Sequence, residues 1–283
     1  MADISLLAPF AVVFGLLSAI SWGTGDFCGG LATKRSPGFS VVMATEFIGG
    51  ILLIGLALLT REALPSPGSA LVAVAAGLAG LMGLGALYQG LATGQMGVIA
   101  PLSAVVGGII PVVVGLLTEG WPSSLQMVGF ALALLAVWLL AGTGEFRPSR
   151  RDLLLAGTAG LGFGLYFVLI AYASTGSIYW NLTIARFAAG FVFLAYLLAT
   201  RQPLLPERRV WGLTAVAGVA DAGGNLAYAL AALLGRLDVA AILASLYPGM
   251  TVLLARVVLH ERLTRPQFTG VAAALVAVAL IAV

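Results

Sequence analysis

Ten runs of mostly apolar residues follow one another along the chain, separated only by short polar, Pro and Gly clusters. A helix of about 20 apolar residues crosses a hydrocarbon core about 30 Å thick. The pattern therefore predicts membrane helices over 8–31, 38–60, 69–92, 97–118, 122–142, 151–174, 177–199, 209–234, 239–259 and 264–283. The interruptions, such as Lys34-Arg35-Ser36-Pro37, Glu119 to Pro122, Gly144 to Arg151 and Arg236-Leu237-Asp238, are all too short for a soluble domain. Any chemistry must lie in the bilayer or at its surface.

The second five runs follow the template of the first five. A shift of 140 positions pairs Phe47 with Phe187, Gly50 with Gly190, Thr60 with Thr200, Arg61 with Arg201 and Tyr88 with Tyr228. A shift of 141 pairs Trp22-Gly23 with Phe163-Gly164, and 142 pairs Ser103 with Ser245 and Glu119 with Glu261. The common order and near-constant offset predict a duplication, with units at 1–145 and 146–283. An odd number of spans per unit turns the second unit upside down relative to the first. Inverted repeats of this kind place a solute route between the halves.

Composition fits this reading. The chain is 61% hydrophobic and 9% charged, with 37 glycines. Soluble domains carry about 25% charged residues, whereas lipid tolerates an apolar exterior because helices satisfy their own backbones. The net charge of +3 comes from arginines scattered between runs, which reads as topology anchoring rather than nucleic-acid binding. The single cysteine, Cys28, excludes an internal disulfide, and the lone His260 at a helix end reads as structural. No metal or cofactor is expected.

Lys34, Arg35, Arg147, Arg150, Arg151, Arg201, Arg208, Arg209, Arg262 and Arg265 fall in connections on one side, and Arg61 and Arg236 on the other. The positive-inside rule puts the first side in the cytoplasm and both termini outside.

Ionisable residues at membrane depth cost about 2.5–3.5 kcal/mol on insertion scales, so each needs a partner or a task. Glu46 and Arg186 occupy equivalent positions in the second and seventh spans, which predicts an intramembrane ion pair, either a clasp between the halves or a gate. Asp221, Asn225 and Tyr228 share one face of the eighth span, as spacings of four and three require. That face predicts cavity lining, or else an interhelical hydrogen-bond cluster. With Glu46 claimed by Arg186, Asp221 is the carboxylate left to take up a proton or an ammonium group; Asp26, closer to the surface, is the weaker candidate. Trp22, Tyr88, Gln89, Phe163, Tyr166 and Tyr247 complete the predicted lining, suited to an apolar ligand or an organic cation. Trp121, Trp211, Tyr179 and Trp180 stand at span ends and read as interfacial belt residues. Pro101 and Pro111 in the fourth span, and Pro248-Gly249 in the ninth, are predicted to interrupt their helices and serve as hinges. Gly25/Gly29, Gly90/Gly94 and Gly160/Gly164 have the spacing that lets helices approach closely.

The first span ends in Ser21-Trp22-Gly23, and the ninth carries Leu243-x-x-Leu246-x-Pro248 ahead of Leu259-His260-Glu261-Arg262-Leu263-Thr264. In these features the chain resembles the EamA-type branch of the drug/metabolite transporter superfamily, over essentially its whole length. The resemblance implies two five-helix repeats and a cavity walled by the first, third, fourth, sixth, eighth and ninth helices. It also implies export of metabolites, amino acids among them, and cytoplasmic termini, against the charge count. The first repeat departs from the pattern: Thr118-Glu119-Gly120-Trp121-Pro122 lacks the Arg and Leu, and Val106 stands opposite Pro248.

The expected protein is thus an all-α membrane protein of ten spans, a multi-pass carrier of the inner membrane. Aromatic or other amphiphilic amino acids are the first expectation for its solute, ahead of organic cations, drugs or sugars. An intramembrane enzyme is disfavoured because HExxH, a usable GxSxG triad and paired carboxylates with metal spacing are missing from the sequence. A Walker A sequence is missing too, which disfavours an ATP-driven pump, and the kinked, duplicated helices disfavour a passive channel.

Overall fold

The computed structural model describes residues 4–93, 96–140, 149–260 and 264–282. Among them the regular structure is helical: α1 (Ile4–Thr33), α2 (Gly38–Leu59), α3 (Pro67–Thr93), α4 (Met96–Glu119), α5 (Ser124–Leu140), α6 (Arg150–Ala173), α7 (Ile178–Ala199), α8 (Trp211–Leu234), α9 (Leu237–Ala244), α10 (Tyr247–Val258) and α11 (Arg265–Ile281). Eight spans are long and apolar enough to cross a bilayer, one of them made of α9 and α10 together; α5 and α11 are shorter apolar helices. At 17 residues each, both reach the lower limit for a crossing.

Helix ends follow local chemistry. Ser123 with Gln126 opens α5 and Thr264 with Gln267 opens α11 through the same reciprocal cap, side chain to backbone in both directions. At the other ends of α2 and α7, Arg61 and Arg201 adopt left-handed backbone angles (φ 53° and 54°) 140 positions apart. Each closes its helix identically: Glu62 N–H bonds the Ala57 carbonyl and Gln202 N–H the Leu197 carbonyl. Matching caps at matching offsets make the duplication a property of the backbone, not only of the letters.

The repeats are inverted. Gln126 at the start of α5 reaches the Ile281 carbonyl at the end of α11, and Gln267 at the start of α11 reaches the Leu140 carbonyl at the end of α5. Equivalent helices therefore run antiparallel. The same holds for α2 and α7: Glu62 beyond the end of α2 bonds the start of α7, and Ser40 near the start of α2 bonds the Pro203 carbonyl beyond α7. The principal contacts cross between repeats: α1 packs on α8 as α6 packs on α3, and α4 packs on α6 as α9 and α10 pack on α1.

Small residues allow this closeness. A Cβ on Gly160 would lie 2.5 Å from Val106 Cβ, and one on Gly164 would lie 2.6 Å from Ile110 Cβ, so α4 and α6 meet only because both positions are glycine. Large apolar side chains such as Ile51, Leu59, Leu117, Leu154 and Phe191 point outward, as a lipid-bathed surface requires.

The predicted hinges fall differently. Pro111 is buried within an uninterrupted α4 rather than breaking it. The carbonyl it leaves without a helical donor, on Gly107, faces Gly164 of α6, and the neighbouring helix supports the segment. The ninth span does break, but upstream of Pro248, at Ser245-Leu246. Pro248 cannot donate to the Ala244 carbonyl, so α9 ends there, and α10 restarts with Pro248 in its first turn where no donor is needed. Gly249 follows within that first turn. The side chain of Pro101 lies outside the described residues, as do Gly94 and Glu261-Arg262-Leu263.

Candidate functional site

A cavity of about 670 Å³ lies between the repeats. On α1 its lining runs from Trp22 to Lys34, on α2 from Glu46 back to Val41, on α3 from Gly77 to Leu87, and on α8 from Asn225 back to Ala217. Each stretch runs from mid-helix toward the same face, the one with the Arg-rich connections. The cavity thus starts halfway through the bundle and opens to the basic face. Besides the helices implied by the resemblance, α2 and α7 contribute Thr45, Glu46, Ala185 and Arg186 to its wall.

An aromatic stack forms its floor. Trp22 stacks on Phe167 at 5.4 Å between ring centroids, and Phe167 packs on Tyr228 at 4.9 Å. Gly224 admits Trp22 to this layer: a Cβ there would lie 2.5 Å from the indole ring. Tyr228, predicted to line the cavity, is instead beneath the floor: it is fully buried and its hydroxyl donates to the Phe167 carbonyl at 3.0 Å. The helical spacing placed Tyr228 on the right face, but this turn of α8 lies where that face has already met α6. Phe163, Tyr166, Asn225 and Tyr247 do line the cavity, and Tyr166 donates to Asn225 Oδ1 at 2.6 Å. Gln89 is on α3 outside the lining, and the Tyr88 side chain lies outside the described residues.

Arg186 is the buried cation of the site, with 3% of its side chain exposed, and Lys34 lies exposed at the cavity mouth. Its guanidinium lies across α2, where Nη2 donates to the Thr45 carbonyl at 3.0 Å and Nε to the Glu46 carbonyl at 3.4 Å. Gly49 makes this possible, since a Cβ there would sit 2.5 Å from Nε. Held this way, Nη1 points to α8 and bonds Asp221 Oδ2 at 2.6 Å, while Glu46 Oε2 is 3.5 Å from Nε. The expected assignment is therefore corrected: Asp221 is the tighter partner of Arg186 and is not a free carboxylate. Sequence spacing paired the symmetry mates Glu46 and Arg186 but carried no information on the reach of Arg186 to a third helix. Asp26 is the cavity carboxylate with no hydrogen-bond or ion-pair partner among the described residues, although its position looked less favourable.

Two further groups escaped the sequence reading. Glu62 accepts from the backbone N–H groups of Ile178 (2.7 Å), Tyr179 (3.3 Å) and Trp180 (3.1 Å) and from Ser177 Oγ (2.9 Å), binding the start of α7. Trp180, expected in the interfacial belt, also donates its indole N–H to the Glu62 carbonyl. Glu119, Arg236 and Asp238 form a cluster where α4 meets α9. Carboxylates among short connections in so uncharged a chain were the available signal.

The model of the EamA-like transporter family matches the chain twice, over residues 9–142 and 151–283. One solved crystal structure shares the fold with a TM-score of 0.81 at 18% identity, covering 95% of each chain. No curated protein matches.

Proposed function

Because the chain belongs to the EamA-like transporter family, we propose that it exports small amphiphilic metabolites, amino acids first, across the inner membrane by alternating access. The observation that carries this reading is a cavity walled by both repeats, open from mid-bundle to one face and shut toward the other. Rocking one repeat against the other exchanges the open and shut faces without ever opening both. The positive-inside rule sets the basic face in the cytoplasm and the termini outside. In that orientation the cavity accepts solute from the cytoplasm, the step with which an exporter begins.

The lining supports an amphiphile. Trp22, Phe163, Tyr166 and Tyr247 offer aromatic faces, and Asp26, Asp221 and Arg186 offer charges of both signs. One observation favours a second reading, an organic cation: three carboxylates, Asp26, Glu46 and Asp221, share the cavity with two cations, Arg186 and Lys34. Such a balance, with aromatic walls, attracts an ammonium group.

Uptake into proteoliposomes across a panel of amino acids, amines and sugars tests both. Saturable amino-acid flux with competition among congeners is the expected result. Saturable flux of amines alone moves the substrate to the cation class, and flux that never saturates overturns the carrier. A reporter fused to the C-terminus should signal from outside; a cytoplasmic signal reverses the orientation.

A further inference from the structure

On the face that carries the termini, a charged cluster ties the two repeats together. We propose that this cluster, Glu119 with Arg236 and Asp238, is the gate that keeps the resting protein closed on that face. The inference rests on the carrier reading above.

Glu119 ends α4, in the first repeat, and both its carboxylate oxygens accept from the N–H of Leu237, the first residue of α9 in the second repeat, at 3.2 and 3.1 Å. Arg236 grips Asp238 with two bonds, Nε to Oδ1 at 3.0 Å and Nη2 to Oδ2 at 2.6 Å. Its remaining donors cross back to the first repeat, Nη1 to the Glu119 carbonyl at 3.3 Å and Nη2 to the Gly120 carbonyl at 2.6 Å. The cation thus covers the negative end of α4, where a helix favours positive charge. The bond to Asp238 holds the Arg236 guanidinium above its ordinary pKa, so it stays charged. Asp238 is fully buried, and Gly115 clears the space for it: a Cβ there would lie 3.0 Å from Asp238 Cβ. Charge-assisted bonds of this geometry are roughly twice as strong as neutral ones.

On the opposite face the equivalent of Glu119 is Glu261, but positions 142 earlier than Arg236 and Asp238 hold Gly94 and Met96, so the Arg236–Asp238 clasp is not repeated there. The position 140 later than Glu62 holds Gln202, and α2 starts without a side-chain cap where α7 starts on a carboxylate. A duplicated fold that carries this clasp on one face and not at the equivalent positions of the other has unequal states. To open the cavity toward the termini, α9 must part from the end of α4, and that motion breaks the Glu119–Leu237 and Arg236–Gly120 bonds.

Distance measurements between spin labels test this. Trp121→Cys and Leu233→Cys label exposed positions on the two sides of the cluster, in a Cys28→Ala background that removes the single native thiol. Asp238→Asn risks the fold, so Glu119→Gln, on an exposed side chain, is the deciding variant. In bilayers the parent should show one short-distance population, and Glu119→Gln should raise a longer one at least threefold. An unchanged distribution in folded Glu119→Gln overturns the gate. Solute flux on the same preparations separates the two readings. Unchanged distances with saturable flux remove the gate and leave the carrier. Shifted distances with no flux of any panel solute leave the gate and remove the carrier.

Discussion

The two halves of the ninth span have the same parent sequence pattern and opposite surroundings. All eight residues of α9 are buried, whereas none of the twelve in α10 is. α9 is wedged against α1, α4 and α8 on the termini face; α10 runs on to the basic face, packed chiefly on α1, with Tyr247 at its start in the cavity lining. Under inverted symmetry, the partner of α9 in the other repeat is the first half of α4, on the far face. A single span thus holds both environments: Ala240, Ala241 and Ala244 of α9 are packed until no solvent remains, whereas Leu253, Val257 and Val258 of α10 turn outward as a lipid-facing surface does.

The charged centre of the cavity, away from both halves of this span, is the costliest place to disturb. Arg186→Ala leaves Asp221 and Glu46 facing each other without their cation, and breaking a buried pair costs about 3–5 kcal/mol. Asp221 has 37% of its side chain open to the cavity, so the lower end of that range applies, read as a lowered midpoint of thermal unfolding in detergent. A midpoint matching the parent would mean that Arg186 does not join α7 to α2 and α8.

Next comes the contrast itself. Ile242 in α9 is fully buried, and Ile242→Ala should cost about 2–4 kcal/mol through lost contacts and a cavity. Leu253 in α10 is 49% exposed, and Leu253→Ala should fall within about 0.5 kcal/mol of the parent. Equal effects would erase the distinction between the buried α9 and the outward-facing α10.

Gly49→Ala is smaller. Its methyl group would press on the Arg186 guanidinium, and overpacking of this kind costs about 1–3 kcal/mol. Because the side chain it displaces holds Asp221, the variant should also lower solute affinity, measured as a raised half-saturation of flux. The smallest effect is expected for Tyr228→Phe, which removes one buried hydrogen bond to Phe167 at a cost of about 1 kcal/mol. Flux should survive it, since Tyr228 lies below the floor, whereas Tyr166→Phe, in the lining, should change half-saturation. A reversal of these two would put Tyr228 back in the cavity.

Much of the fold was legible because membrane helices announce themselves by length and hydropathy, and predicted and observed spans differ by a few residues at most ends. The duplication was legible because caps and crossings repeat: Arg61 and Arg201 at helix ends, and Phe47 and Phe187, which meet at 5.5 Å between centroids. Trp22, Phe163, Tyr166, Asp221, Asn225 and Tyr247, all in the cavity lining, are legible as polar and aromatic residues at membrane depth. What stayed hidden depends on three-body geometry. Arg186 chooses between two carboxylates according to how α7 lies over Gly49, and no offset within the sequence encodes that choice. Glu62, Glu119 and Asp238 looked like ordinary loop charges because their partners are backbone N–H groups of distant helices. Tyr228 shows the limit of helical spacing, which fixes a face but not the depth at which a neighbouring helix closes over it.

The central claim is that the cavity is wet from the basic face and sealed from the other until solute moves through. Gly29 lines it, and a Cβ there meets nothing nearer than Ala217 Cβ at 3.9 Å, so Gly29→Cys fits without strain in the Cys28→Ala background. Vesicles of known orientation should show its reaction with a membrane-impermeant maleimide from the basic face, slowed as transported solute saturates the cavity. Equal reaction from both faces in the absence of solute, or no reaction from the basic face, would contradict the account.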